Sequence, residues 1–318
     1  MRDNNIYLKN IQYQLGEFHG IDSLAELQQN PLALETLSSL GLSCFSKCEG
    51  NIVDYAAQSI KKVLNSSGIE PRAIGAMVYA TNTIDHTEPH QDALKCAMHE
   101  LGLHHSYPYG ISFSGCGNLQ AGFVIATSLM AQGYYSNILL VAVDTANQSY
   151  TSENSRVYSN NVSVFSDGAA ACLLTTSIDD NSGSVFRWVC TELVTDSRIV
   201  DYGRENNWAE IMRCTEFGIV DASQKALRKA GLSCNDIRVL ITNNYNLSVT
   251  RLFSMAIGMS DSKVFIGNLG RYGHVYSADG LINLATFAET VRLRPGDNIM
   301  MLGSGPNTWG ITILKYGA

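Results

Sequence analysis

The chain has 318 residues, 45% of them hydrophobic and 16% charged, enough for two domains or one large fold and too apolar for a disordered chain. Its net charge of −7 is offset by no basic run, which disfavours nucleic acid as a partner. No signal-peptide pattern follows "MRDNNIYLKNIQYQLG", and the longest apolar runs are strand-length, so the sequence predicts a cytoplasmic protein that does not enter a membrane.

In chain order, "KKVLNSSGIEPRAIGAMVYATN" (61–82) predicts an amphipathic helix, a turn at Gly68 and an apolar strand that starts near Ile74. A loop, "TNTIDHTEPHQDA" (81–93), comes next. A helix is predicted over 118–132, then strands at "NILLVAVD" (137–144) and "GAAACLLTT" (168–176). The pattern then repeats. "QKALRKAGLSCNDIRVLITNN" (224–244) has its turn at Gly231 and its strand start at Ile237. A helix over 278–292 and strands at "NIMMLGSG" (298–305) and "WGITILKY" (309–316) complete the second copy. Alternating strands and helices imply an α/β fold with mainly parallel sheets. The duplication divides the chain into similar halves, 1–175 and 176–318, packed about a pseudo-twofold axis. Such folds place their sites at strand carboxyl ends, here between the halves.

That arrangement singles out one of the eight cysteines. "SFSGCGNLQAGF" (112–123) sets Cys116 just before the central helix of the first half, and "GRYGHVYSADG" (270–280) sets His274 at the matching place in the second. A helix N-terminus favours a thiolate, and a facing imidazole supplies an ion-pair partner and a base. Gly115 and Gly117 allow a substrate or another backbone to approach closely. Asn243 and Asn244 in "TNNYN" converge on the same centre; such an amide orients an imidazole, binds a carbonyl oxygen, or caps a turn. "GSGPNTWG" (303–310) lacks the lysine of a phosphate loop and leads into a strand, so it reads as a glycine turn that offers N–H groups to an oxyanion. The other cysteines form no disulfide framework, and Cys44 and Cys48 have no second pair to complete a metal site. His104 and His105 read as surface residues, and His86 and His90 belong to the 81–93 loop. No metal, flavin or nicotinamide site is indicated.

In this order, "SGCGNLQAGF", "VFSDGAAACLL" (164–174) and "GSGPNTWGITILKY" resemble the thiolase superfamily, most closely its β-ketoacyl-acyl carrier protein synthase III branch. The resemblance implies a thiolase-like, five-layered sandwich of two α-β-α-β-α halves and a homodimer. It implies that Cys116 is the acylated nucleophile, that the N–H groups of Cys116 and Gly305 form the oxyanion hole, and that Ser304, Gly115 and Gly117 border the substrate. The chain also departs from the branch. Condensing members carry His where Asn243 stands and Asn where His274 stands, so the two identities are exchanged. The order resembles true thiolases, yet "GSGPN" lacks their second cysteine. The tryptophan and arginine that clamp coenzyme A are missing from 35–51, and Ser248 replaces a further arginine. Glu88 occupies a position, often apolar in the branch, on a segment that crosses the dimer interface; it suits a polar or cationic substrate or is a solvated loop charge.

The resemblance therefore implies an acyltransferase that loads Cys116 from acyl-CoA or an acyl carrier protein and passes the group to a hydroxyl or amine, as natural-product relatives do. No tightly bound cofactor is implied. Two alternatives remain at this level: a decarboxylative condensing enzyme, and a non-catalytic partner subunit of a related heteromer.

Overall fold

Glycines end both repeated helices. The helices α3 (Ile52–Ser67) and α6 (Trp208–Ala230) are followed by Gly68 at φ 64° and Gly231 at φ 66°, left-handed positions that a residue with a Cβ adopts at a cost. The structure, a computed structural model, describes residues 5–83, 88–146, 155–158, 161–178, 184–197, 208–305 and 307–317.

The strands are β1 (Tyr7–Leu15), β2 (Glu17–Gly20), β3 (Cys44–Lys47), β4 (Ala76–Ala80), β5 (Tyr107–Ile111) and β6 (Asn137–Asp144), then β7 (Gly168–Thr175), β8 (Phe186–Thr195), β9 (Ile237–Ile241), β10 (Asn298–Gly305) and β11 (Thr308–Tyr316). The remaining helices are α1 (Ala25–Gln28), α2 (Pro31–Ser39), α4 (Glu88–Glu100), α5 (Asn118–Ala131), α7 (Leu247–Ile257), α8 (Leu269–Tyr272) and α9 (Asp279–Thr290). Most boundaries agree with the sequence reading to within two residues. The 81–93 segment differs: helix α4 begins at Glu88 and places His90 in a helix instead of a loop.

Among the described residues, nine strands pair in the order β5-β4-β6-β7-β1-β8-β11-β10-β9. In one part β4 runs parallel to β6 and β6 antiparallel to β7; in the other β9 runs parallel to β10 and β10 antiparallel to β11. The two series match strand for strand. Strand β1 joins them, pairing with β7 along its length and with β8 through Tyr7 and Leu8.

Helices α5 and α9 touch strands of both series and form the middle layer. Phe123, Leu119, Leu281 and Ile282 are buried there with strand residues such as Val78, Leu140, Ile241 and Met301. Outer layers cover the other faces: α3 packs Ile60 and Val63 on Leu139 and Val141, and α6 packs Ile219 and Ala222 on Ile311 and Ile313. Helix, sheet, helix, sheet, helix gives five layers. Its consequence for function is that the N-termini of α5 and α9, with the loops that lead into them, meet in the interior.

Candidate active site

Cys116 sits in the tight turn Gly115–Gly117 that leads into α5. Gly115 has φ 54°, which this turn requires and a side chain would strain. Asn118 fixes the turn by accepting from Ser114 N at 2.8 Å and donating to the Thr81 carbonyl at 3.0 Å. On the other side β10 presses against the turn; a side chain at Gly305 would collide with the Ser114 carbonyl.

The two residues that the pseudo-twofold pairs are in contact. Cys116 Sγ lies 3.1 Å from His274 Nε2, and both residues are buried. The ring's far nitrogen, Nδ1, lies 2.5 Å from Asp279 Oδ2. Asp279 is held in turn. Its carboxylate accepts from Val275 N at 2.8 Å and Asn244 N at 2.7 Å, and it opens α9, where the helix N-terminus favours negative charge. Burial pulls the imidazole pKa down, but the facing Cys116 sulfur and the Asp279 carboxylate outweigh it and raise His274 to about 10. His274 therefore holds its proton at neutral pH, with Nε2 facing the sulfur.

Asp279 was not among the sequence candidates. Its signal was present: an acidic residue in the first turn of the second central helix, five positions after the histidine. The asparagines take other places. Asn244 reaches the ring only through Asp279, donating its backbone N–H to that carboxylate and its Nδ2 to the Gly273 carbonyl at 2.8 Å. Asn243 donates to the Tyr276 carbonyl at 2.8 Å and to the Cys116 carbonyl at 3.5 Å, and accepts from Ser304 N at 3.0 Å. The idea that an amide orients the imidazole is thus corrected: a carboxylate does so, because Asp279 has both the reach and the charge. Ser304 lends its N–H to Asn243, and its carbonyl accepts from Tyr245 Oη at 2.6 Å. Gly117 lines a cavity of about 310 Å³ with Ser114, Leu193, Thr195, Thr308 and Trp309. Glu88 begins α4, but its side chain lies outside the described residues. His86 lies outside them as well.

Aromatic rings wall the pair. Phe165 and Tyr276 stack at 4.5 Å with planes 2° apart, and both pack with Cys116 and Ala146. Tyr245 lies 4.8 Å from the imidazole, centroid to centroid. Tyr276 has φ 49°, unusual for a bulky residue, and the Asn243 bond to its carbonyl helps hold it there. A buried bidentate pair, Arg156–Asp167 at 3.0 and 2.8 Å, fixes the wall from behind: Asp167 accepts from Ala146 N, and Arg156 donates to the Phe165 carbonyl. Among the described residues no group of three or more His, Cys, Asp or Glu could hold a metal ion, and no helix is long and apolar enough to cross a membrane. His104 and His105 are exposed, their rings 4.2 Å apart.

A family profile described as 3-oxoacyl-[acyl-carrier-protein] synthase III matches residues 114–197, and the C-terminal profile of the same family matches 227–316, together more than half of the chain. The β-ketoacyl-[acyl-carrier-protein] synthase III of Clostridium perfringens is 27% identical over 284 residues, covering 83% of this chain and 85% of its own. Solved structures share the fold: 3-oxoacyl-(acyl carrier protein) synthase III from Pseudomonas aeruginosa has a TM-score of 0.82 at 22% identity, covering 99% of both chains. A structure titled ChlB3, an acyltransferase, has 0.80 at 20%, covering 98% of this chain and 97% of its own. The fold and its cysteine-bearing seam define a protein of the thiolase superfamily. Within it, the chain belongs to the synthase III family and is a transferase.

Proposed function

We propose that the chain is an acyltransferase that carries an acyl group on Cys116 and delivers it to a hydroxyl or amine. The carrying observation is the line Cys116 Sγ–His274–Asp279, with links of 3.1 and 2.5 Å. A nucleophile, a base and a group that orients the base are the parts that acyl transfer needs.

In the first step the thiolate attacks a thioester carbonyl. The bond to the coenzyme A or carrier-protein sulfur breaks, and that sulfur leaves with the proton from His274. Acylation also removes the charge on Sγ, a leading cause of the raised His274 pKa. The imidazole therefore holds its proton less tightly at the stage that needs a base. In the second step neutral His274 takes the acceptor's O–H or N–H proton as the oxygen or nitrogen attacks the acyl carbon. Sγ departs as a thiolate beside the protonated imidazole. The N–H groups of Cys116 and Gly305 carry the transient oxyanion in this reading, and Gly115, Gly117 and Ser304 border the acyl group. The chain acts as a homodimer without a tightly bound cofactor. The ChlB3 neighbour, titled an acyltransferase, supports the reading.

Intact-protein mass after exposure to a panel of acyl thioesters tests it. The expected result is one acyl adduct, lost in Cys116→Ala and discharged by hydroxyl or amine acceptors. Carbon dioxide release from a malonyl thioester, with a β-ketoacyl product, would instead support condensation, in keeping with the 3-oxoacyl synthase that the family profile's description names.

A further inference from the structure

Asp144 ends β6 fully buried, and no cationic side chain among the described residues pairs with it. Its Oδ1 accepts from Asn82 N at 2.5 Å, Thr83 N at 3.1 Å and Thr81 Oγ1 at 3.1 Å; its Oδ2 accepts from Ser277 Oγ at 3.3 Å. These donors belong to two different parts of the site. Asn82 Oδ1 accepts from Asn118 Nδ2 at 3.1 Å, and Asn118 holds the Cys116 turn through Ser114 N. Ser277 lies in the His274–Asp279 loop, next to Tyr276 with its left-handed backbone.

We propose that Asp144 is a positioning residue for the Cys116–His274 pair: one carboxylate ties the support of the nucleophile's turn to the loop that carries the imidazole. A 3.1 Å contact between residues 158 positions apart depends on the relative placement of those two loops. Side chains that bond to both of them set that placement. Asn243 is one such link, through the Cys116 and Tyr276 carbonyls. Asp144 is a second, and it differs in being able to lose its charge.

Burial without a cation pushes the Asp144 carboxyl up to about 7, although the bonds from Asn82, Thr81, Thr83 and Ser277 oppose the rise. Ionised, it accepts from all of these donors. Protonated, one oxygen becomes a donor and the set cannot be kept whole. Among the described residues the titratable group that feels the Asp144 charge is Tyr79 on β4; Arg156 and Asp167 pair with each other, and Cys116, His274 and Asp279 form the site itself. The Tyr79 hydroxyl is pushed up by burial first and by the Asp144 charge second.

The inference rests on Cys116 and His274 being the reactive pair, and its test needs no acyl substrate. The full chain is treated with iodoacetamide from about pH 5.5 to about pH 9, and alkylation of the Cys116 peptide is timed by mass spectrometry. In the parent the rate should rise severalfold through a step centred near pH 7. Asp144→Asn, neutral throughout, should lack that step, and Ser277→Ala should shrink it. An Asp144→Asn protein that retains the full step overturns the proposal. So does an unchanged step in Ser277→Ala, which decides the matter should Asp144→Asn fail to fold. Failure of thioesters to load a Cys116 that still alkylates normally would count against the acyltransferase reading and leave this inference standing.

Discussion

His274 Nδ1 is 2.5 Å from Asp279 Oδ2, and the two residues are five positions apart across the start of a helix. This bond fixes which imidazole nitrogen faces the sulfur. A carboxylate in this place also stabilises the imidazolium, which a neutral amide does not.

For His274→Ala, Cys116 should still self-acylate from a reactive thioester, while transfer to the acceptor falls ~10²–10⁴-fold. Single-turnover assays that load the enzyme first and add the acceptor second separate the steps. Equal loss in both would remove the two-stage use of the imidazole.

Asp279→Asn keeps the shape and removes the charge. Without that carboxylate one cause of the raised His274 pKa disappears, so the imidazolium should discharge at lower pH than in the parent. Titrating His274 by NMR would show the displacement, with a fall in transfer rate alongside it.

Stability should follow the same ion pair. His274 binds its proton more tightly folded than unfolded, so its contribution is fully present below about pH 6.5 and is lost as pH rises toward about 10. Cys116→Ser removes the facing sulfur, one cause of the raised His274 pKa, and should flatten the decline in melting temperature over that window. A parent protein whose melting temperature is constant across it would contradict the pairing.

Arg156→Ala leaves Asp167 charged, buried and without its cation. Breaking a buried pair in this way costs about 3–5 kcal/mol, which chemical denaturation can measure. Because Arg156 also holds the Phe165 carbonyl, and Asp167 the Ala146 N–H, Cys116 alkylation kinetics should change in any fraction that stays folded.

Gly115→Ala tests the turn itself. Its φ of 54° imposes a cost of roughly 1–2 kcal/mol on a residue with a Cβ. The expected outcome is a modest loss of stability with a larger loss of acyl loading, because relief of the strain moves Sγ.

The sequence made the scaffold legible to an unusual degree because the chain repeats itself. Gly68 and Gly231 marked equivalent helix ends, and the apolar runs at 137–144 and 298–305 fall on β6 and β10 without a residue of error. The duplication also paired Cys116 with His274 across 158 positions, an inference that no local motif supports. What it missed were the residues that act through others. Asn243 was visible as a polar strand end, but its bonds go to Tyr276, Cys116 and Ser304, partners that only folding identifies. Asp279 resembled an ordinary acidic residue in a helix's first turn. Asp144 closed an apolar strand, and nothing in a linear reading distinguishes a solvated strand end from one buried under a loop some 130 residues away.

Strand β1 lies between β7 and β8, and α5 shares its core with α9, so the thiol and its base come from opposite ends of a long sequence interval. During synthesis Cys116 emerges well before residues 274–279, and contacts of such separation form late. Until they form, the sulfur has neither the His274 imidazole nor the Tyr276 ring beside it. Nucleophile, base and shielding rings thus come together in a single docking event.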